Sequence, residues 1–387
     1  MPPSQSPQMR PGPPGPPSRA VDMFRSPTFF VSSDRQRATL EEFHKKDQHL
    51  SEAFQKNKAL CFNASAYQRT HPQKVKEGHR DADATVNAPL ILGVADGVSQ
   101  VEDFGIDASL LPHELLQNCE SLGMVQLLPN SKLAKYRGPI PLLQEAFKET
   151  KASGSTTVVM ALLDNGTRIH GKLHPMIAVI TIGDCELLIL RRIEGRGSPL
   201  QVVFHTEMQR IDGHVQTPLQ LARVDERIDP EFHEGITEEV IERGSAVHCV
   251  SAYEGDIVIL GSDGVFDNLY LDEVQHIVNQ VLVRGTTVPA PEGVLQQLAR
   301  CLVEASHRKS IRLPTGQLPD APIGRGGKMD DTSVVVGQVV EWTEEHARRY
   351  TPSAVEPRWG LHGLIPSCTS CCPMSEEETE SCGEDDS

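Results

Sequence analysis

The chain has 387 residues, and 37 Lys and Arg against 53 Asp and Glu give it a formal net charge of −16. That length permits one large or two ordinary domains with a sizeable core. So acidic a balance argues against a nucleic-acid binder, whose affinity comes from basic side chains displacing counterions. No apolar run approaches the ~18 residues that span a bilayer. Nine cysteines, in a chain whose start lacks the apolar stretch of a secretory signal, read as reduced residues of an intracellular protein rather than a disulfide framework.

Proline fills eight of the first twenty positions, and residues 1–38 are expected to be disordered for want of core-forming side chains. A Thr39-Leu-Glu-Glu42 capping box opens a helix or linker over 39–59, with Leu40, Phe43, Leu50 and Phe54 toward one side. Residues 60–342 read as a single folded domain. Residues 343–387 read as a polar, cysteine-containing acidic tail. Seven acids and no base fall between Ser375 and Ser387, while the first sixty residues hold nine bases and six acids. The total of −16, less −7 and less +3, leaves −12 on the stretch between.

Short Val-, Ile- and Leu-rich runs predict strands at Pro89–Ala95, Thr156–Leu163, Met176–Ile182, Leu187–Leu190, Asp256–Leu260 and Ser333–Val336. Helical periodicity marks Asp107–Ser121, Ile140–Lys151, Leu271–Val283 and Gly293–Arg308. The strands arrive in adjacent pairs. Thr156–Leu163 with Met176–Ile182, and Met176–Ile182 with Leu187–Leu190, are expected to be hairpins, through turns such as Asp164-Asn-Gly166. That order favours an α/β arrangement of the layered α+β kind, antiparallel sheets with helices outside, over a doubly wound parallel sheet.

Aspartates sit where these strands begin or end. Strand 90–95 runs into Asp96-Gly97, strand 257–260 into Gly261-Ser-Asp263-Gly264, and Asp330-Asp331 precede the strand near Ser333. Carboxylates fixed at strand ends can converge hard oxygen donors on one spot, which suits Mg²⁺ or Mn²⁺. Glycine after Asp96 leaves its carbonyl open to an ion, there being no Cβ in the way. Taken singly, each Asp-Gly is also an ordinary turn.

Taken together, GVADGV, SGST, IGD, GSDGVFDN and GGKMDDTSV stand in the motif order of the metal-dependent serine/threonine protein phosphatases of type 2C, and the chain resembles that family over residues 60–342. HPQKV, DFGIDASLL and RGGKMDD resemble its T-cell-activation-type branch, whose known members include mitochondrial phosphatases. The resemblance implies two antiparallel sheets in a central sandwich flanked by helices, with two Mn²⁺ or Mg²⁺ ions at one end. It makes Asp96 the bridging ligand, Gly97 a carbonyl ligand, Asp263 and Asp330 further ligands, Asp331 a supporting residue and Asp184 a ligand for an optional third ion. The nucleophile would then be water activated by the ions, so no cysteine or histidine need be catalytic.

Two positions depart from the family. Its usual Glu-Asp-Ala segment, whose acids hold metal-bound waters, falls here on Arg80-Asp81-Ala82, so Asp81 keeps the aspartate and Arg80 replaces the glutamate. Asp83, two residues on and on the same face of a strand, could share the role. Arg80 either weakens one ion's surroundings or places a guanidinium where phosphate binds. Val98 stands where well-known members carry a histidine proposed as the acid for the leaving group; the favoured branch is also apolar there. Lys328 is a candidate for electrostatic help at the phosphate. Asp81-Ala-Asp83-Ala-Thr85 also fits the haloacid-dehalogenase pattern, but Lys76-Glu-Gly-His-Arg80 before it cannot be the buried strand that chemistry needs. Cys368-x-x-Cys371-Cys372 lacks a second ligand pair, and the acids after Ser375 read as a solvating tail.

The sequence therefore predicts a monomeric, metal-dependent phosphatase acting on phosphorylated protein substrates, in cytoplasm or mitochondrion, with no nucleic-acid partner and no transmembrane segment. Its rival is a non-catalytic phosphoprotein-binding scaffold, supported by Arg80. Loops Gly285–Pro291 and Leu313–Gly327 are candidate substrate-recruiting surfaces.

Overall fold

The computed structural model describes residues 58–129, 135–169, 171–193, 197–211, 217–224, 234–283 and 287–350. The proline-rich start, the Thr39 helix and the cysteine-containing tail lie outside them. In chain order the strands are β1 (Leu60–Arg69), β2 (Ala84–Ala88), β3 (Ile91–Gly97), β4 (Gly154–Asp164), β5 (Arg168–Ile169), β6 (Lys172–Leu173), β7 (Met176–Ile182), β8 (Glu186–Arg192), β9 (Leu200–His205), β10 (Leu221–Arg223), β11 (Ala246–Ser251), β12 (Ile257–Gly261) and β13 (Thr332–Glu341). The helices are α1 (Pro72–Glu77), α2 (Leu110–Gln126), α3 (Pro139–Glu149), α4 (Glu234–Glu239), α5 (Asp263–Phe266), α6 (Leu271–Val281), α7 (Val294–Arg308) and α8 (Glu344–Tyr350). Helix α8 follows Trp342 and stacks His346 on its indole, so regular structure runs past residue 342.

Two antiparallel sheets form a sandwich. One has the strand order β1-β13-β12-β8-β9 and the other β11-β7-β4-β3-β2, with β10 added to β4. Alternation along the strands of the first sheet divides its side chains between two apolar clusters. Leu187, Ile189, Val258, Leu260 and Val335 face the second sheet. Leu188, Leu190, Ile257, Ile259, Val334 and Val336 face α6 and α7. Both faces are covered, which is why these strands read as unbroken apolar runs instead of alternating with polar residues. Helix α7 supplies Leu295, Leu298, Ala299, Leu302 and Val303, an i, i+3, i+4, i+7, i+8 stripe, to the outer cluster. On the far side Leu111, Leu115 and Cys119 of α2 cover the second sheet.

The sequence expectation of a hairpin between Met176–Ile182 and Leu187–Leu190 is corrected. Strand β7 pairs with β4 and β11, whereas β8 pairs with β12 and β9, so Gly183-Asp184-Cys185 carries the chain from one sheet to the other. Gly183 has φ +100°, and a Cβ there would lie 2.5 Å from Thr157 Cγ2. No residue with a side chain makes so abrupt a crossing against β4 without displacing it. Strands β4 and β7 do pair, but the small β5–β6 hairpin stands between them, and Asp164-Asn-Gly166 closes on itself through Gly166 N donating to Asp164 Oδ1.

Candidate metal centre

Strand register brings the acid-bearing ends together. Asp96, on the last turn of β3, lies opposite Thr157 of β4, whose neighbour Val158 pairs with Ile182 at the end of β7. In the other sheet Gly261 pairs with Val334 and with Glu186, so Asp263, Asp330, Asp331 and Asp184 all issue from the same sandwich end. Asp96 feels Asp83, Asp263 and Asp330, and Asp184 feels Asp263. Asp96, Asp263, Asp330 and Asp184 are thus gathered into one cluster.

Gly97 and Gly264, which follow Asp96 and Asp263, are small for a reason the sequence did not disclose. A Cβ on Gly97 would meet the Ala108 carbonyl oxygen at 2.3 Å and that of Ala82 at 2.7 Å. A Cβ on Gly264 would meet the Asp331 carbonyl oxygen at 2.1 Å. At Gly97 the missing side chain admits the backbone of Ala108 and of Ala82, next to Asp83, and at Gly264 it admits the backbone of Asp331. The space beside Gly97 is therefore filled by carbonyl groups of the chain, and its glycine is required for assembly of the cluster as such.

The early acids fall differently from what the family resemblance implies. Ala84 pairs with Ala95, so Asp83, one residue earlier, is the neighbour of Asp96 across β2 and β3. Asp83 is fully buried, and neither carboxylate oxygen has a hydrogen-bond partner of acceptable geometry among the described residues. Asp81 stands a step further out and half-buried, accepting from Gln68 Nε2 at 3.1 Å and from Asp83 N at 3.1 Å. Asp81 and Asp83 precede β2 instead of sharing a strand face. Arg80 is exposed, and its charge is among the smaller influences that lower Asp107, after the hydrogen bonds from Ser109.

Two lysines stand among the acids. Lys328 Nζ donates to Asp263 Oδ2 and, at 2.8 Å, to Asp330 Oδ2. Lys74, from α1, donates to Asp330 Oδ1 at 2.7 Å and to Asp331 Oδ2 at 2.8 Å. The HPQKV string contained Lys74, but nothing in the sequence linked it to residues 256 positions away. Asn268 fixes the lysine-bearing loop: its Oδ1 accepts from Lys328 N at 2.7 Å, and its Nδ2 donates to the Lys328 and Gly264 carbonyls. The last residue of GSDGVFDN is thus a clamp between the two longest motifs.

Charge bears out the crowding. Burial raises the Asp83 and Asp96 carboxyls well above the ordinary range, and neighbouring acids raise them further, Asp81 on Asp83 and Asp83 and Asp263 on Asp96. Burial, then Asp263, lifts Asp184 to about 7; burial, then Asp263, lifts Asp267 to about 6. Asp330 is lowered, because Lys328 and Lys74 outweigh its burial. Both lysines are held protonated by the same acids against the pull of their own burial.

These donors fit divalent cations in kind. They are hard carboxylate oxygens, and buried oxygens of Asp83, Asp263 (Oδ1) and Asp331 (Oδ1) lack hydrogen-bond partners among the described residues. No three acids, histidines or cysteines among the described residues already converge as a ready ligand set; ammonium groups stand between them.

No family model matches the sequence. The chain is 28% identical over 288 residues to probable protein phosphatase 2C 62 of Arabidopsis thaliana, covering 73% of this chain and 34% of that protein. It is 29% identical over 278 residues to probable protein phosphatase 2C 55 of the same plant, covering 71% and 51%. It is 28% identical over 284 residues to the protein phosphatase PTC7 homolog of Xenopus laevis, covering 69% and 80%. Among solved structures, the X-ray structure of the photosystem II phosphatase PBCP matches with a TM-score of 0.51 at 23% identity, covering 72% of this chain and 98% of that one. The fold is the type 2C phosphatase fold. The two Arabidopsis relatives are named as probable type 2C protein phosphatases and the Xenopus one as a protein phosphatase. The chain spans about a third and a half of the length of the first two of them.

Proposed function

We propose that the chain is a metal-dependent protein serine/threonine phosphatase of type 2C, hydrolysing phosphoserine and phosphothreonine on protein substrates. The observation that carries this reading is the meeting of Asp83 and Asp96 from one sheet with Asp263, Asp330 and Asp331 from the other, buried or half-buried carboxylates that Lys74 and Lys328 only partly neutralise. The Arabidopsis relatives named as type 2C phosphatases support it. The branch-like strings, together with the Xenopus PTC7 homolog among the relatives, favour the T-cell-activation-type branch, and fractionation of the native protein tests a mitochondrial against a cytoplasmic site.

Two bound Mn²⁺ or Mg²⁺ ions would supply activated water and offset charge on the phosphoryl oxygens during in-line attack. The chain's own residues have distinct tasks. Asp96, with the Gly97 carbonyl, Asp263 and Asp330, would hold the two ions, and Asp184 would serve a third. Asp83 orients water at the inner wall, with Asp81 behind it holding the segment through Gln68. Lys328 stands where its ammonium can also meet phosphoryl oxygens. The scaffold reading leaned on Arg80, and that side chain is exposed.

The test is hydrolysis of a phosphothreonine peptide by the purified full chain with Mn²⁺ or with EDTA, beside folded Asp96→Asn. Turnover should require metal and fall about a hundredfold or more in the variant. Absence of turnover by folded protein across the Mn²⁺ range would sink the proposal.

A further inference from the structure

We propose that Lys328 is a built-in competitor for the metal, occupying the ligand oxygens of Asp263 and Asp330 and leaving them when a divalent cation enters, while Lys74 is a positioning residue that stays. This rests on the reading of the cluster as a metal centre. It assigns opposite roles to two lysines that look alike in sequence.

The division follows from which oxygens each lysine holds. Lys328 bridges Oδ2 of Asp263 and Oδ2 of Asp330, acids that arrive from two different segments and that a shared cation would have to draw together. An ammonium and a divalent cation cannot both sit on one pair of carboxylate oxygens, since each would face the other's charge at contact distance. Lys74 takes Oδ1 of Asp330, the oxygen Lys328 leaves alone, and Oδ2 of Asp331. Asp331 N also donates to Asp330 Oδ1, at 2.9 Å, so that side of Asp330 already belongs to the protein. Lys74 therefore fixes the carboxylate plane of Asp330 with its Oδ2 presented to the cluster.

Lys328 also has the means to leave. Its backbone is pinned on both sides by Asn268, so the loop need not move. Its side chain is one-third exposed, whereas that of Lys74 is half as accessible. The adjoining Met329 is 53% exposed, which leaves the rim open to solvent. A four-carbon stem can swing the ammonium from the acids to that rim without breaking any backbone contact.

Mn²⁺ binding to the full chain, by titration calorimetry after EDTA stripping, distinguishes the roles, with unfolding in EDTA measured on each variant. Lys328→Met should bind Mn²⁺ about tenfold more tightly or better, because a charge-assisted contact no longer has to be broken first. It should unfold at lower temperature in EDTA and gain more from added Mn²⁺ than the parent. Lys328→Arg, which keeps the charge, should bind no more tightly than the parent. Lys76→Met, an exposed lysine on the same helix as Lys74, controls for net charge and should stay within about twofold. Lys74→Met should bind no more tightly than the parent. Equal affinities for Lys328→Met and Lys76→Met would overturn the competition, and equal tightening by Lys328→Met and Lys74→Met would overturn the division of roles. Failure of the parent and every variant to bind Mn²⁺ would instead remove the metal centre itself.

Discussion

Strands β8 and β12 carry acid or its partner at both ends, and the two ends of the sandwich treat it in opposite ways. At one end Asp256, just before β12, is fully buried, and Arg191 of β8 grips both its oxygens at 2.8 Å through Nε and Nη2. Tyr253 N donates to the same carboxylate at 3.0 Å, and the guanidinium lies 4.0 Å from the Tyr253 ring centre. There one acid meets one base in a bidentate pair. At the other end Asp83, Asp96, Asp184, Asp263, Asp330 and Asp331 confront Lys74 and Lys328. Burial of charge is common to both ends, so burial by itself marks nothing. Excess of one sign, sustained by strand register and by two glycines that admit neighbouring backbone, is what separates a site from a strut.

The largest effect that could break this comparison comes from removing one acid at each end. Asp256→Ala leaves Arg191 buried without its carboxylate and should cost about 3–5 kcal/mol of stability. Asp263→Asn should leave stability in EDTA within about 1 kcal/mol of the parent, since relief of a buried charge offsets the lost lysine contact. Mn²⁺ binding should respond in reverse, weakening more than about a hundredfold in Asp263→Asn and holding in folded Asp256→Ala. Urea unfolding in EDTA and Mn²⁺ titration of both variants decide it; parallel behaviour would mean that the ends do not differ in kind.

How much of this was legible in the sequence follows the same divide. The strand cores and the α2, α3, α6 and α7 helices were readable because apolar runs and 3.6-residue periodicity are local signals. The crossing at Gly183 was not, since a short Gly-Asp link serves a hairpin and a change of sheet equally well, and only the partners of β7 and β8 tell them apart. Strands β1 and β11 escaped notice because polar residues such as Asn63, Ser65 and His248 interrupt their runs. Asp96, Asp263 and Asp330 were legible from motif order, and the structure gathers them. Asp83 was ranked behind Asp81 because counting along the chain cannot see that Ala84 faces Ala95. Lys74 and the Asn268 clamp act on residues far away in the sequence, where no local pattern reaches.

A smaller effect sharpens where the acidic end stops. His307, on the last turn of α7, is buried behind Thr332, its Nε2 lying 3.2 Å from Thr332 Oγ1 and its Nδ1 without a partner among the described residues. Burial, then His71 and Arg69, lower it from 6.5 to about 4, so the acids do not reach it. The unfolded chain therefore takes up a proton near pH 6.5 that the folded chain refuses until about pH 4. Stability from this group is complete above pH 6.5 and is lost as pH falls toward 4. Allowing for solvent screening, moving from pH 7 to 5 should cost the parent about 1–2 kcal/mol more than it costs His307→Gln. Urea unfolding in EDTA at both pH values measures the difference; an equal loss in the two proteins would place His307 within the acidic field after all.

The smallest effect concerns Arg80, which stands where the resembled family usually has a glutamate. Its side chain is exposed, while the inner position beside Asp96 belongs to Asp83. If the cluster is bounded as the strand register draws it, the exposed Arg80 side chain stands outside the set of acids that hold and orient the ions. Arg80→Glu and Arg80→Ala should then leave Mn²⁺ affinity and phosphopeptide turnover within about twofold of the parent, as substitutions at exposed positions generally do. Asp83→Asn should impair both. A gain of fivefold or more in Arg80→Glu would reverse that order, since it would mean that a carboxylate at position 80 reaches the ions and that the edge of the acidic end lies one turn of chain further out than the pairing of β2 with β3 puts it.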